Sequence, residues 1–459
     1  MERVEEVRGS WAEIVSARYA ASATMFTLGI VLHAFNAFIA STTMPSAVVE
    51  LNTVSLLSWA TSAYLVASIV GGAAAAALKG RYGARVVLLA SSLAFIGGSF
   101  AFGFAQGPLS VVFGRILQGA GEGIVMACCY ALIPEMFPKA LVPRIFALES
   151  VAWALAALGG PLIAGAITEA VSWRIAVMVS IPASILFMVF VPLCVPAGNG
   201  NGVAKGFPVL QLGLVALGVL LLSLKASSLV AAAAAVVALI LLYAAVAIDG
   251  RSGTRLLPHR AFDPSTPLGA GMLLAVLMAF SESPTAVFVA FAGQKVWGLG
   301  VTLSGLLSAT LAISWSFTAI AVAHMPRWRA GAHIWPAPLI MAAGLALHVV
   351  GFSLQALPAA IAAQMLIGVS FGFSWARLCE HVMETAPEAE RDFAVAAMPT
   401  LLVAGMSVGA ALVGSFAGAL GLDATAPAAD IAKTLVPVFA VASLAALATS
   451  WVAARAARG

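Results

Sequence analysis

Arg115 and Glu122 stand seven residues apart in an otherwise apolar run. On a helix of 3.6 residues per turn this spacing puts both on nearly the same face, about 10 Å apart along the axis. That is too far for a direct bond but near enough for each to feel the other's charge. A neighbouring cation favours an ionised carboxylate, and burial favours a protonated one. The chemistry these opposed effects suit is reversible proton binding, with Glu122 as carrier and Arg115 as its electrostatic regulator. The plainer alternative is a structural ion pair between helices. His33 and Asn36 lie three apart and share a helix face. Histidine titrates near neutral pH, so His33 is a second proton-handling candidate; a histidine that only bonds a backbone carbonyl is the alternative. Glu282, beside Pro284, could couple protons or bind a cationic substrate, or it could be a solvated residue near a helix end. Glu149 reads as a rim residue paired with Arg144, and His348 as structural.

The elements that must hold these residues are apolar. The chain has 459 residues, of which 62% are hydrophobic and 9% charged. Fourteen stretches can each cross a bilayer, which takes about 20 mostly apolar residues. They run near 22–46, 55–78, 86–105, 109–132, 145–168, 174–195, 207–224, 228–248, 267–291, 301–323, 335–355, 358–378, 393–420 and 434–453. Backbone polar groups in lipid must bond internally, so a helical bundle is expected. With the amino terminus inside, eighteen of the 23 basic residues fall in inner segments and four in outer ones, with Arg115 inside a stretch. Basic residues concentrate on the cytoplasmic side, so both termini are expected there, in a plasma (inner) membrane.

Several function classes find no support. The basic residues are scattered singly, without interleaved aromatics, which argues against nucleic-acid binding. Cys128, Cys129, Cys194 and Cys379 form no C-x-x-C pair, so neither a disulfide framework nor a metal site is expected. No nucleophile–base cluster or phosphate loop points to an enzyme or to a cofactor.

The stretches divide as six, two and six. The expected organisation is a cytoplasmic segment 1–20, a six-helix half 21–197, a linker with an inserted two-helix hairpin 198–250, a cytoplasmic linker 251–266, and a second six-helix half 267–459. Two six-helix halves suit alternating access, in which one half rocks against the other. The first stretch of each half carries a polar run ending in proline: Ser41-Thr42-Thr43-Met44-Pro45 and Ser281-Glu282-Ser283-Pro284. Proline removes a helix hydrogen bond, so paired interruptions at matching places are expected to mark the substrate site. Gly160-Pro161 offers a pliable, close-packing seam. Gly405 with Gly409, and Gly414 with Gly418, offer the pseudo-symmetric counterpart. Phe38 and Trp153, with Phe35 and Trp315, are candidates to line an apolar pocket.

Five motifs occur in order. The first stretch holds Asn36-Ala37-Phe38-Ile39-Ala40-Ser41-Thr42-Thr43-Met44-Pro45, like D-x-T-x-x-x-x-A-L-P. The second opens Trp59-Ala60-Thr61-Ser62-Ala63-Tyr64-Leu65, like W-x-x-x-x-Y-L. The fourth holds Arg115-Ile116-Leu117-Gln118-Gly119-Ala120-Gly121, matching R-x-x-Q-G-x-G. The fifth holds Gly160-Pro161-Leu162-Ile163-Ala164-Gly165, like G-P-x-x-G-G, and Trp173-Arg174 opens the sixth. Taken together the chain resembles the major facilitator superfamily, and within it the fourteen-helix branch of drug:proton antiporters. The resemblance implies an all-α membrane protein of two six-helix halves plus a two-helix insert. It implies a monomer that exports a small hydrophobic or drug-like molecule in exchange for protons. Two positions depart from the pattern. Asn36 stands where the branch often has a membrane aspartate. In the loop Lys79-Gly80-Arg81-Tyr82-Gly83-Ala84-Arg85, Gly80 replaces the acid that helps latch the halves, while Arg81, Gly83 and Arg85 remain. These departures keep open an uncoupled or uptake transporter of an organic metabolite, and a non-transporting receptor or scaffold of the same fold.

Overall fold

The computed structural model describes residues 11–53, 56–138, 141–198, 208–222, 228–252, 255, 257–323 and 334–456. Much of the glycine-rich linker, Lys225, and the segment with Arg327 and Arg329 lie outside the described residues. So do the side chains of Arg144 and Glu149.

The described residues fold as helices. A short α1 (Trp11–Ile14) precedes α2 (Ala20–Glu50), α3 (Leu56–Tyr82), α4 (Ala84–Gly103), α5 (Pro108–Met136) and α6 (Val142–Ala170). The sixth apolar stretch is broken into α7 (Trp173–Ala176) and α8 (Ser180–Cys194). Then come α9 (Val209–Leu222) and α10 (Ser228–Asp249), followed by α11 (Pro267–Lys295), α12 (Val301–Ala323), α13 (Ala337–Ser353), α14 (Leu357–Thr385), α15 (Arg391–Ala419) and α16 (Ala428–Ala456). Among the described residues ten apolar spans are long enough to cross a membrane, α7 and α8 together forming one of them (Trp173–Cys194), and four shorter ones accompany them: Trp59–Ala75, Val209–Leu221, Val236–Asp249 and Ala337–Ser353. This is a multi-pass membrane protein.

Local chemistry sets the helix starts. Pro108 and Pro267 occupy first-turn positions, where the missing N–H costs nothing. Thr266 Oγ1 accepts from Gly269 N at 3.1 Å and so caps α11. Gly83 turns the chain from α3 into α4 with φ 81°, a conformation that favours glycine.

Packing follows one pattern twice. In α2–α8, α5 packs on α3 and α4, while α2 packs on α6 and α8. In α11–α16, α14 packs on α12 and α13, while α11 packs on α15 and α16. The two groups meet along α6 with α12, and along α3 with α15. The α9–α10 hairpin lies against the second of these seams. Val219 of α9 is fully buried there with Val66 of α3 and Ala411 of α15.

Pro45 and Pro284 do not interrupt their helices. Both lie inside continuous α-helix, five residues before the end of α2 and eleven before the end of α11. Each helix continues through its proline, so the expected pair of breaks is not formed. At Pro284 a physical reason is visible. The carbonyl of Phe280 loses its N–H donor, and the Ser283 hydroxyl bonds it instead at 2.8 Å.

Candidate functional site

The site begins at the seam between α3 and α5. Glycines 119 and 123 leave no room for a side chain: a Cβ at Gly119 would strike the carbonyl of Tyr64, and one at Gly123 that of Ser68. On its other face α5 packs through Gly114 and Gly121 against α4. Small residues let membrane helices approach this closely. The approach carries Tyr64 of α3 into the layer of Arg115 and Glu122.

Glu122 lies at the middle of α5 and is fully buried. Its Oε2 accepts hydrogen bonds from Tyr64 Oη at 2.5 Å and Asn36 Nδ2 at 2.9 Å. Its Oε1 makes no hydrogen bond among the described residues, but lies 3.4 Å from His33 Nδ1. His33 Nδ1 also lies 3.3 Å from Tyr64 Oη, in hydrogen-bonding geometry. The His33 side chain is 18% exposed, whereas Glu122 is sealed behind it. Trp153 of α6 meets the His33 ring edge-on, with centroids 5.6 Å apart, and Phe38 packs near Trp153 at 6.3 Å.

Arg115 makes no ion pair with Glu122; Tyr64 stands between them. The guanidinium carbon lies 4.0 Å from the centroid of the Tyr64 ring, a cation–π contact. Nη1 donates to Gln118 Oε1 at 2.9 Å, and Gln118 Nε2 donates to Ser99 Oγ at 3.0 Å on α4. Arg115 Nε has no hydrogen-bond partner among the described residues. A buried charge is costly unless paired and bonded. This chain distributes the charge over an aromatic face and an amide.

The structure thus brings together His33, Asn36, Arg115, Gln118, Gly119, Glu122 and Trp153 from the sequence-derived candidates. It adds Tyr64, which the W-x-x-x-x-Y-L match had flagged without a role. Asn36 in the place of an aspartate is not an empty substitution, since its amide serves Glu122.

Glu282 stands apart. It lies at the middle of α11, nearly buried, so the solvated helix-end alternative does not hold. Its Oε1 accepts from Thr285 Oγ1 at 2.5 Å on the same helix, and it forms no ion pair among the described residues. His348 is fully buried between Phe352 and Phe439, with Nε2 3.2 Å from Gln364 Oε1.

The motif residues fall into two places. One is the bundle end away from the chain termini, where the two groups of helices are locked together. Gly160 receives Phe38, Pro161 faces Gly305 of α12, and Gly165 packs directly on Thr302. Glu169, at the end of α6, accepts from Thr302 N and Thr302 Oγ1, both at 3.1 Å, so it caps the first turn of α12. Outside this seal a depression of about 640 Å³ is lined by Glu50, Glu169, Trp173 and Lys295. The other place is the terminal end. There Arg85 donates to the carbonyls of Pro192 and Val195, both at 2.7 Å, where its charge complements the end of α8. Lys79 pairs with Glu135 at 2.6 Å, and Arg81 lies over Tyr82. These contacts, like Arg377–Glu380, each stay within one group of helices, while Arg255 of the linker before α11 pairs with Glu390 just before α15. Gly405 and Gly409 of α15 close on Val276 and Ser283 of α11, the counterpart of Gly160 against α2, whereas Gly418 faces open space.

Twin helix groups, sealed to each other at one end and enclosing polar side chains at mid-helix, define a membrane transporter. Residues 26–410 match the Major Facilitator Superfamily, and the chain belongs to that family. A probable multidrug-efflux transporter of Mycobacterium tuberculosis is 31% identical over 426 residues, covering 88% of this chain and 89% of its own. The tetracenomycin C resistance and export protein of Streptomyces glaucescens is 26% identical over 289 residues, covering 61% of this chain and 53% of its own. Among solved structures, a bacterial homologue of the human lysosomal transporter Spinster, inward-facing and unoccupied, superposes with a TM-score of 0.70 at 12% identity, covering 96% of this chain and 98% of its own. A D-xylose–proton symporter superposes with a TM-score of 0.67 at 15% identity, covering 93% and 97%. At these identities the structures speak for the fold alone. The protein is a transporter of this fold rather than an enzyme.

Proposed function

We propose that this protein exports a small hydrophobic or drug-like organic molecule in exchange for protons, by alternating access. The ten long and four shorter apolar spans are read as fourteen crossings of the plasma membrane. Both termini are cytoplasmic, and a monomer is the working unit. The two halves are 21–197 and 267–459, with the hairpin in 198–250 inserted between them. On this topology the sealed end faces outward.

One observation carries the reading: a carboxylate buried at mid-membrane, Glu122, held by Asn36 and Tyr64 with an imidazole at its free oxygen. A charge at this depth costs roughly 2.5–3.5 kcal/mol on insertion scales and marks ion or substrate pathways. Ionised, Glu122 balances Arg115 across the Tyr64 ring. Protonated, it leaves Arg115 as the uncompensated charge of the cluster. Binding or losing one proton therefore changes the net charge of the buried layer by a full unit. A bistable bundle can follow that change. The half-buried Phe38 and Trp153 form the apolar wall beside the cluster. On this reading Glu282, the buried carboxylate of the second half, receives a cationic group of the substrate. The drug-export direction follows the similarity to a probable multidrug-efflux transporter and to a resistance and export protein.

The test is substrate-induced proton movement in proteoliposomes, with a pH dye inside and lipophilic cations, neutral drugs and organic acids outside. A proton signal in the wild type that Glu122→Gln abolishes supports the reading. Transport that ignores protonophores and runs only down its own gradient would replace it with an uncoupled carrier.

A further inference from the structure

We propose that Tyr64 is a proton-relay residue, passing protons between His33 and Glu122. This rests on the reading of Glu122 as the proton carrier. The cluster has a defined order of access. Glu122 is fully buried and cannot exchange with solvent directly, while the His33 side chain is partly exposed. A proton bound for Glu122 therefore arrives at the imidazole first.

Two routes lead inward from His33. The direct one spans 3.4 Å from Nδ1 to Glu122 Oε1, yet that oxygen makes no hydrogen bond. The other passes through the Tyr64 hydroxyl, which is hydrogen-bonded on both sides, at 3.3 Å to His33 Nδ1 and 2.5 Å to Glu122 Oε2. Both contacts of the hydroxyl have hydrogen-bonding geometry, and the longer, at 3.3 Å, is of the kind that tightens as proton transfer proceeds, whereas the direct approach has no hydrogen bond formed, so the hydroxyl route is the formed one. In the inward step, the Tyr64 O–H gives its proton to Glu122 Oε2 as the imidazolium Nδ1–H of His33 replaces it on the phenol oxygen. Imidazolium becomes neutral imidazole, carboxylate becomes carboxylic acid, and the tyrosine ends as it began. The reverse sequence releases the proton.

The surroundings hold the hydroxyl in place for this work. Gly119 locks the Tyr64 backbone to α5. The Arg115 guanidinium on the ring face stabilises negative charge developing on the phenol oxygen. The groups facing the hydroxyl are His33 and Asn36 from α2, and Arg115 and Glu122 from α5. Among the described side chains of α6, the uncharged Trp153 meets the cluster, against His33.

Tyr64→Phe keeps the ring and removes only the hydroxyl. The experiment compares net proton-driven efflux with substrate exchange across the same proteoliposomes, for wild type, Tyr64→Phe, His33→Asn, the double variant and Glu122→Gln. Exchange uses the same binding and rocking steps without net proton transfer. The ratio of net efflux to exchange is expected to fall roughly tenfold or more in Tyr64→Phe. His33→Asn should match it, and the double variant should be no worse than either single, because stations in series do not add. An unchanged ratio in Tyr64→Phe, or losses that multiply in the double variant, would overturn the relay. If Tyr64→Phe does not fold, the His33→Asn ratio decides by itself: unchanged, it removes the first station. A wild type with no proton movement would instead refute the reading of Glu122, so the two failures are distinguishable.

Discussion

Gly119 and Gly123 of α5 press on the carbonyls of Tyr64 and Ser68 in α3; Gly368 and Gly372 of α14 press on those of Leu311 and Trp315 in α12. The two seams are the same device in the two halves, glycines one turn apart set against backbone. Three residues past the first glycine, the contents diverge. The first half places Glu122 there, in a polar cluster. The second places Phe371, stacked on Trp315 at 4.7 Å, with Trp375 edge-on to Trp315 at 6.2 Å. Close helix contact thus does not dictate chemistry. It fixes a depth and a distance, and the side chain at that position decides whether the seam handles charge or presents an aromatic face. On this account the first half handles the proton and the second offers the organic molecule a surface.

The comparison breaks most severely if the shared device is removed. Gly119→Val and Gly368→Val should each destabilise the protein by about 3 kcal/mol, the upper range for overpacking, because a backbone carbonyl rather than a flexible side chain blocks the new methyls. Thermal unfolding in detergent reads this, and equal losses in both halves are expected. Changing the contents should then separate the halves. Arg115→Gln should lower the proton signal per substrate on the order of tenfold, since the cluster loses the permanent positive charge that opposes Glu122. Trp315→Ala should instead raise the half-saturating substrate concentration roughly fivefold, the scale of one lost aromatic contact, with proton stoichiometry unchanged. The smallest effect concerns the seal. Glu169→Ala removes the cap that α6 places on α12, and should raise labelling of a cysteine introduced at Thr302 by roughly fivefold, about the value of a helix cap.

Much of this was legible in the residues. Hydropathy located the helices, with α12 at 301–323 as expected and α2 only a few residues longer than its stretch. The seven-residue spacing put Arg115 and Glu122 on one face, and the three-residue spacing did the same for His33 and Asn36. Helical periodicity is local, so it can say which residues share a face. It cannot say which helix comes to meet them. Tyr64 was hidden for that reason: it lies 58 residues from Glu122, and only the fit of Gly119 on its carbonyl unites them. Glu169 was hidden more deeply, because a carboxylate at a helix end reads as solvated until the first turn of α12 is found against it. The proline pair misled in the opposite direction. Ser283 supplies the bond that Pro284 removes, so a residue read as a break is absorbed into continuous helix.

The central claim is the division of labour between the two buried carboxylates. Glu122 is held by Asn36 and Tyr64 from two other helices with His33 beside its second oxygen, Glu282 by Thr285 of its own helix. The most direct measurement is the number of protons moved per substrate, with Glu122→Gln and Glu282→Gln reconstituted side by side with the wild type. Glu122→Gln is expected to move substrate with no proton, while Glu282→Gln keeps the wild-type ratio and binds substrate more weakly. Proton movement that survives Glu122→Gln and disappears in Glu282→Gln would contradict it.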